Sequence, residues 1–241
     1  MHSLDAARAR HIGRIGGVLY LLLIIIGALG EAVVRGSILV ARDAATTAAN
    51  LRSMEWLWRL GVAGEVVLLA CAIGVMLVLY VLLRPVNRDL ALLAVFFNLV
   101  SIAIEGGAAV SLAATLFPVA DVPYLASLAP EQLNAMAMLS TRSHSMGFGI
   151  ALVFFGFECI IIGYLIARSG YMPKTIGILM QVAGAAYLVN SFALILSPPL
   201  SSRLFPAILL PALVGELSLT IWLIAKGVRT DRWIPTDPRG P

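Results

Sequence analysis

The chain has 241 residues, of which 60% are hydrophobic and only 12% are charged, and its formal net charge is +4. This composition is too apolar and too weakly charged for an ordinary soluble domain. It predicts an all-α, polytopic membrane protein whose surroundings are the lipid bilayer. We expect no nucleic-acid partner, because membrane orientation accounts for the excess of basic residues.

Six segments of the sequence are long and apolar enough to cross a bilayer, which takes about 20 residues in an α-helix. They fill most of the chain, and no polar stretch between them is long enough to form a separate soluble domain. We therefore predict a single transmembrane domain over residues 1–241, folded as a six-helix bundle. The predicted spans are 15–33, 60–83, 90–117, 146–167, 176–197 and 205–225.

The first of these spans has some features of a secretory signal. Arg8, Arg10 and Arg14 precede its apolar run, as in the basic region of a signal peptide. The run is longer than a typical signal core, however, and no clear small-residue cleavage site follows it. We expect this segment to remain in the protein as its first transmembrane helix.

The distribution of lysine and arginine predicts the orientation of the bundle. Six spans place both termini on one side, and eleven basic residues fall on that side against six on the other. The positive-inside rule then predicts a multi-pass protein of the bacterial cytoplasmic (inner) membrane with both termini in the cytoplasm. The even-numbered spans support this orientation because each ends in an aromatic and basic anchor: Tyr80 with Arg84, Tyr164 with Arg168, and Trp222 with Lys226.

Five of the seven glutamates lie inside the predicted spans: Glu31, Glu65, Glu105, Glu158 and Glu216. An ionised group in hydrocarbon costs several kcal/mol, so such residues usually face a bundle interior, a partner or a water-filled path. The sequence therefore predicts an intramembrane polar site.

The rise of about 1.5 Å per helical residue sorts the polar groups by depth. The predicted outer layer contains Glu31, Glu65, Glu105, His144 and Asn190, and the middle or inner layer contains Asn98, Glu158, Gln181 and Glu216. We expect at least two of the three outer carboxyl groups to approach one another around a cavity. The binding candidates are Glu31, Glu65, Glu105, Glu158, Glu216, Asn98, Gln181 and Asn190.

Three interpretations of these glutamates remain open. The favoured one is a small binding or transport protein with a glutamate-lined cavity for a small cationic or lipidic ligand. The second is a structural role, because carboxyl groups can hydrogen-bond across membrane helices. The sequence leaves the substrate undefined, and assembly into an oligomer stays open.

The third interpretation is an intramembrane metal-dependent enzyme that acts on a lipid. His144 with Glu31, Glu65 and Glu105 offers the ligand types of a Zn, Mn or Fe site that could activate a water molecule. The sequence requires no cofactor, since it has no HExxH motif. Cys71 and Cys159 stand outside any CxxC pair, so they indicate neither a disulfide framework nor a thiolate zinc site.

Each of the five glutamates has a glycine beside it or two residues away: Gly30, Gly64, Gly106, Gly156 and Gly215. One interpretation is that these glycines leave space for a ligand next to the carboxylate. The other, which we favour, is that small residues mark helix contacts, as they commonly do in membrane proteins.

Several prolines in the second half of the sequence predict where helices begin, end or bend. Pro130 is typical of the first turn of a helix, and the segment it opens either lies on the membrane surface or continues into the fourth span. The pair Pro198 and Pro199 predicts the end of the fifth span. Pro206 and Pro211 permit a kink near the start of the sixth.

Several short motifs occur in the same order as in a known family. They are residues 14–20 (RIGGVLY), 43–50 (DAATTAAN), 84–87 (RPVN), 91–93 (ALL), 154–156 (FFG) and 163–173 (GYLIARSGYMP), with Gly177 after them. In these motifs the chain resembles the uncharacterised bacterial integral membrane proteins grouped as domain of unknown function 4386. The resemblance implies a multi-helix membrane protein and carries no catalytic or binding residues.

Overall fold

The computed structural model describes residues 5–233, and all regular secondary structure in that range is helical. Six of the helices are long and apolar enough to span a membrane, which confirms the predicted fold class. The helices are α1 (Ala6–Ile38), α2 (Ala44–Ser53), α3 (Glu55–Leu83), α4 (Arg88–Ala114), α5 (Pro130–Ser169), α6 (Lys174–Leu196), α7 (Pro198–Leu204) and α8 (Leu210–Ala225). The two short helices, α2 and α7, are not spanning segments.

Most spans extend beyond their predicted bounds, and α5 differs most. It has 40 residues and begins at Pro130, whereas the predicted fourth span begins at residue 146. Proline suits the first turn because it has no N–H to leave unpaired, and the Gln132 side chain accepts a hydrogen bond from the Ala129 N–H at 3.0 Å. The segment after Pro130 therefore continues into the membrane span.

Two prolines in the last part of the chain, Pro198 and Pro211, lie where helices begin. Pro198 lies in the first turn of α7, and Pro211 lies in the first turn of α8. At these positions a missing N–H costs no intrahelical hydrogen bond. The expected end of the fifth span is confirmed at Leu196. At the start of the sixth span a 3-10 turn, Ala207–Leu209, lies between Pro206 and α8, and the kink there stays a prediction.

The described chain divides into two compact units. The first unit contains the residues up to Leu22, Cys71–Ile102 and the residues from Gly149 onward, and the second contains Leu23–Ala70 and Ala103–Phe148. Each unit has its own packing and its own polar cluster. The single domain predicted from the sequence stays a prediction.

Glycines bring α5 and α6 into close contact in the first unit. Gly156 and Gly163 are seven residues apart on α5, and Gly177 and Gly184 are seven apart on α6, so each pair shares one helix face. A methyl group added at Gly163 would lie 2.5 Å from the Gly177 carbonyl oxygen, and one at Gly184 would lie 2.5 Å from the Gly156 oxygen. The two backbones can approach this closely only because these residues have no side chains.

The second unit packs around a tryptophan. Trp58 is almost fully buried, and its Nε1 donates a hydrogen bond to the Leu112 carbonyl oxygen at 3.0 Å. Ile38 and Leu51 belong to the same apolar cluster. The indole thus buries a large apolar area and still satisfies its polar atom.

The short helix α2, which has a side-chain N-cap, follows α1 and is bound to its end. The Asp43 side chain accepts a hydrogen bond from the Thr46 N–H at 2.9 Å, which makes it the N-cap of α2. Because this bond favours the anion, it lowers the pKa of Asp43. Asn50 then donates from Nδ2 to the Ile38 carbonyl oxygen at 3.1 Å, which ties α2 to the end of α1.

Candidate functional site

The three glutamates predicted for the outer layer all lie in the second unit, together with an arginine. Arg35 donates to Glu31 at 2.6 Å and lies 3.6 Å from Glu65. Glu105 is close enough to interact electrostatically with both Glu65 and Arg35. We call Glu31, Arg35, Glu65, Glu105 and His144 the Arg35 cluster.

A local distortion of α1 places Arg35 in this cluster. Residues Gly30–Arg35 form a π-helical turn, and the Gly36 N–H bonds the Glu31 carbonyl oxygen five residues earlier. Such turns occur frequently at functional sites and shift side chains around the helix axis. Here the turn contains both members of the Glu31 and Arg35 ion pair.

His144 is buried within α5, which begins at Pro130, whereas the predicted fourth span begins only after it, at residue 146. Its Nδ1 is 3.2 Å from the Ala108 carbonyl oxygen. Because a carbonyl oxygen can only accept, Nδ1 carries the hydrogen in this contact. The imidazole also lies within electrostatic range of Arg35, Glu65 and Glu31.

The Arg35 cluster is unevenly exposed. The Glu65 and Arg35 side chains are 7% and 18% exposed, whereas Glu31 is 63% exposed. Among residues 5–233, no three His, Cys, Asp or Glu side chains come together in a geometry that could hold a metal ion. Within this cluster the positive charge beside the carboxylates is a guanidinium of the chain itself.

A second polar cluster lies in the first unit and draws on five spanning helices. Asn98 of α4 donates from Nδ2 to Glu158 of α5 at 2.8 Å. Tyr187 of α6 and Tyr20 of α1 both donate their hydroxyl hydrogens to Glu216 of α8. We call Tyr20, Asn98, Glu158, Tyr187 and Glu216 the tyrosine cluster.

The two carboxyl groups of the tyrosine cluster are buried near each other. Glu158 and Glu216 are close enough for their charges to interact. Tyr20, Asn98, Glu158 and Glu216 are each no more than 6% exposed. In the described part of the chain, neither carboxyl group forms an ion pair with a lysine or arginine.

Aromatic rings and an unpaired oxygen complete these surroundings. The Phe155 ring packs edge-on against Tyr187 with centroids 5.3 Å apart, and Phe97 stacks on Phe157 at 5.3 Å. The Asn98 Oδ1 atom is buried and has no hydrogen-bond partner. A buried acceptor of this kind favours a ligand or water that can donate or coordinate.

Two predicted site residues lie apart from both clusters. Gln181 donates from Nε2 to the Gly177 carbonyl oxygen of its own helix at 3.3 Å, and its side chain packs at Gly163. Asn190 is buried in α6 and has no hydrogen bond to either carboxyl group within residues 5–233. A binding role for these two amides stays a prediction.

The glycines next to the glutamates have different surroundings in the two clusters. Added methyl groups at Gly156 and Gly215 would lie within 3.0 Å of backbone oxygens of α6, so these two glycines serve helix contacts. A methyl group at Gly30 would meet only the Arg35 guanidinium, at 3.9 Å. The helix-contact interpretation therefore holds beside Glu158 and Glu216, and Gly30 leaves room for Arg35.

Sequence analysis missed three residues of these clusters: Arg35, Tyr20 and Tyr187. Arg35 follows Glu31 by four residues, which is the spacing of a helical ion pair, and this signal was readable. The two tyrosines lie in the middle of apolar runs, away from the interfacial belt where membrane tyrosines usually occur. A tyrosine at such a depth needs a hydrogen-bond partner.

Comparisons with known proteins give a family and no activity. An uncharacterized protein of Archaeoglobus fulgidus is 23% identical over 175 residues, which cover 73% of this chain and 88% of that protein. No solved structure matches the chain. The family model described as Domain of unknown function (DUF4386) matches residues 15–227. This match confirms the resemblance seen in the sequence motifs, and the chain belongs to the DUF4386 family.

Proposed function

We propose that this protein is a small multi-pass transport protein that binds a small cation at the tyrosine cluster in exchange for protons. The observation that carries the proposal is the pair Glu158 and Glu216, which are buried together and hydrogen-bonded to neutral side chains. Two carboxylates without a neighbouring cation are costly inside a membrane. Two protons, or one proton together with one monovalent cation, supply the two positive charges that balance the carboxylates, so each bound monovalent cation replaces one proton.

The chemistry of the cluster suits a hard or hydrogen-bonding cation. Its possible ligands are carboxyl, phenol and amide oxygens, and hard cations prefer oxygen. A primary ammonium ion is equally suitable, because its three N–H donors can bond to carboxylates and to an amide oxygen. The unpaired Oδ1 of Asn98 offers one such acceptor. The ligand class is therefore an alkali cation or a small primary amine.

The Arg35 cluster has a different role in this proposal. Arg35 already contacts Glu31 and approaches Glu65, so a second cation would have to displace or be repelled by the guanidinium. The glutamates of this cluster therefore stabilise the bundle, and the ligand site is confined to the tyrosine cluster. This assignment narrows the sequence-based hypothesis, in which all five glutamates line one cavity.

The orientation follows the basic-residue count, with both termini in the cytoplasm of a bacterial cell. Reporter fusions after Arg88 and Arg168 are expected to report the cytoplasm, and fusions in the loops at Asp43 and Ala126 the exterior. An external terminus would reverse the orientation while leaving the tyrosine cluster as the binding site.

Calorimetric titration of the purified protein tests the binding step. Sodium, potassium and ethylammonium chlorides serve as probes, and at least one should bind saturably. Glu158→Gln and Glu216→Gln should abolish that binding, while Glu55→Gln should not. Glu55 is a suitable control because it forms an exposed pair with Arg59 four residues away.

Reconstituted vesicles test the transport step. Vesicles that carry a pH-sensitive dye inside should acidify or alkalinise when a gradient of the bound cation is applied, and the Glu158→Gln variant should abolish the response. Binding without flux would limit the function to binding. A wild-type protein that binds none of the three probes, together with a lower unfolding midpoint in both variants, would favour the structural interpretation.

A further inference from the structure

An open groove at the start of α1 is lined by two arginines and a histidine. It has a volume of about 600 Å³ and is lined by Ala6, Ala7, Arg10, His11, Arg14 and Thr230. All of these residues belong to the first unit. Arg10, His11 and Arg14 are exposed. The two alanines that also line the groove have short side chains.

Glycine contacts hold the two walls of this groove together. A methyl group added at Gly227 would lie 2.5 Å from the Arg10 carbonyl oxygen, and Gly227 has a φ of +64°. Both the close approach and the left-handed backbone favour glycine. Gly13 faces the same glycine, since a methyl group there would lie 3.1 Å from the Gly227 Cα. The chain after α8 is thereby held against α1.

One of the arginines is held in place at this contact. Arg14 donates from Nη2 to the Ala225 carbonyl oxygen at 3.4 Å. A guanidinium has five N–H donors in a fixed planar arrangement, so the remaining donors of Arg14 stay available. Arginine in such a position is well suited to bind a phosphate through two parallel hydrogen bonds.

The outward face of α1 changes character just beyond the groove. His11, Arg14, Val18 and Leu22 follow one another at spacings of three and four residues, so they share a helix face. Val18 and Leu22 are 58% and 41% exposed. This stripe therefore passes directly from basic to apolar, which is the polarity of a lipid headgroup followed by an acyl chain.

We propose that this groove binds the headgroup of an anionic phospholipid, with its phosphate at Arg10, His11 and Arg14 and an acyl chain along Val18 and Leu22. The Thr230 hydroxyl can donate a further hydrogen bond to the headgroup. Charge complementarity and the continuous apolar stripe both favour a membrane lipid over a soluble phosphate, which would leave the stripe unused.

Thermal unfolding in detergent tests this proposal with the full-length protein. A thiol-reactive dye can follow unfolding, because Cys71 and Cys159 are free and buried. Phosphatidylglycerol should raise the midpoint temperature saturably, and phosphatidylcholine with the same chains should raise it less. Each basic side chain removed should weaken phosphatidylglycerol binding by roughly fivefold.

Arg10→Gln is the main variant, because it leaves the Arg14 contact to Ala225 intact. It should require roughly fivefold more phosphatidylglycerol for the same shift, whereas Arg203→Gln, an exposed control on α7, should behave as wild type. Equal stabilisation by both lipids, or equal effects of the two variants, would overturn the proposal. The same stabilisation by inorganic phosphate would also overturn it, by assigning the groove to a soluble anion.

Discussion

The two polar clusters of this protein both hold glutamates of spanning helices, but they surround these glutamates with different side chains. Each gathers glutamates from different spanning helices, and in both clusters at least one of these glutamates is buried. In the Arg35 cluster the chain supplies its own cation, which lies 2.6 Å from Glu31 and 3.6 Å from Glu65. In the tyrosine cluster Asn98, Tyr20 and Tyr187 supply hydrogen bonds without charge.

This difference shows that a buried glutamate is not by itself a sign of ligand binding. Hydropathy treats Glu65 and Glu158 alike, because both are single carboxyl groups in apolar helices. What separates them is the charge of the neighbouring side chain. In the Arg35 cluster a guanidinium already contacts Glu31 and Glu65 and repels a second cation, whereas the tyrosine cluster has no basic side chain and can gain a cation from outside.

Removing the guanidinium is expected to have the largest effect on stability. Arg35→Gln leaves the buried Glu65 and the half-buried Glu105 close to each other without their cation, and breaking a largely buried ion pair in this way costs up to about 3–5 kcal/mol. The midpoint of unfolding, followed by dye labelling of Cys71 and Cys159, should fall sharply.

Two further variants sharpen this prediction. The double variant Arg35→Gln with Glu65→Gln should recover much of the loss, because the most deeply buried of the uncompensated carboxylates is gone. Glu31→Gln should cost little, since the Glu31 side chain is largely exposed and exposed pairs contribute at most about 1 kcal/mol. An Arg35→Gln protein as stable as wild type would show that the guanidinium does not neutralise the cluster.

A methyl group at the contact between α5 and α6 should disturb the tyrosine cluster without touching its polar atoms. In Gly163→Ala the new carbon would lie 2.5 Å from the Gly177 oxygen and 2.8 Å from the Gln181 nitrogen. Both are backbone atoms, so the helices must move apart, at a cost of about 1–3 kcal/mol.

The matched control is Gly107→Ala on α4, where an added methyl group meets nothing within 4 Å. Because alanine favours helices over glycine by up to about 1 kcal/mol, this control should be neutral or slightly stabilising. Cation binding should weaken only in the Gly163 variant. Equal behaviour of the two variants would show that the glycine contact does not position Glu158.

The sequence predicts the fold well because the signals of a membrane helix are strong and local. Six apolar windows suffice to find the six spans, and Pro130 marks the true start of α5 although its span was placed later. Gly163 and Gly177 show what the sequence does not predict. Their spacing is visible in the sequence, but the partner helix that each one meets depends on packing over long sequence distances.

The candidate sites were less accessible to sequence analysis. Depth along each helix grouped Glu31 with Glu65 and Glu105, because a helical rise converts residue number into height, and the structure places all three around Arg35. Direction around each axis could not be obtained in this way, and it decides which groups meet. The π-helical turn that contains Arg35 adds to this difficulty, since it shifts the helix face over six residues.

The smallest expected effect on stability comes from the phenol groups of the tyrosine cluster. Tyr187→Phe removes the hydrogen bond to Glu216 while keeping the ring that packs against Phe155. Hydrogen bonds between membrane helices contribute about 1 kcal/mol, so the unfolding midpoint should change only slightly. Tyr20→Phe is the matched variant for the second bond.

Cation binding should respond more strongly than stability to these two changes. The phenol oxygens orient Glu216 and are themselves possible ligands, so calorimetric affinity should fall in both variants. A large loss of stability with unchanged affinity would assign the tyrosines to packing. In that case the tyrosine cluster, like the Arg35 cluster, would have only a structural role.

Proton release on cation binding tests the central claim most directly. The purified protein, in weakly buffered detergent solution with a pH indicator, is mixed with the chloride salt that binds in calorimetry. The solution should acidify, and the acidification should saturate together with binding. It should be absent in the double variant Glu158→Gln with Glu216→Gln and should persist in Glu55→Gln. Saturable binding with no proton release, or the same release from the double variant, would contradict the exchange of a cation for protons at the tyrosine cluster.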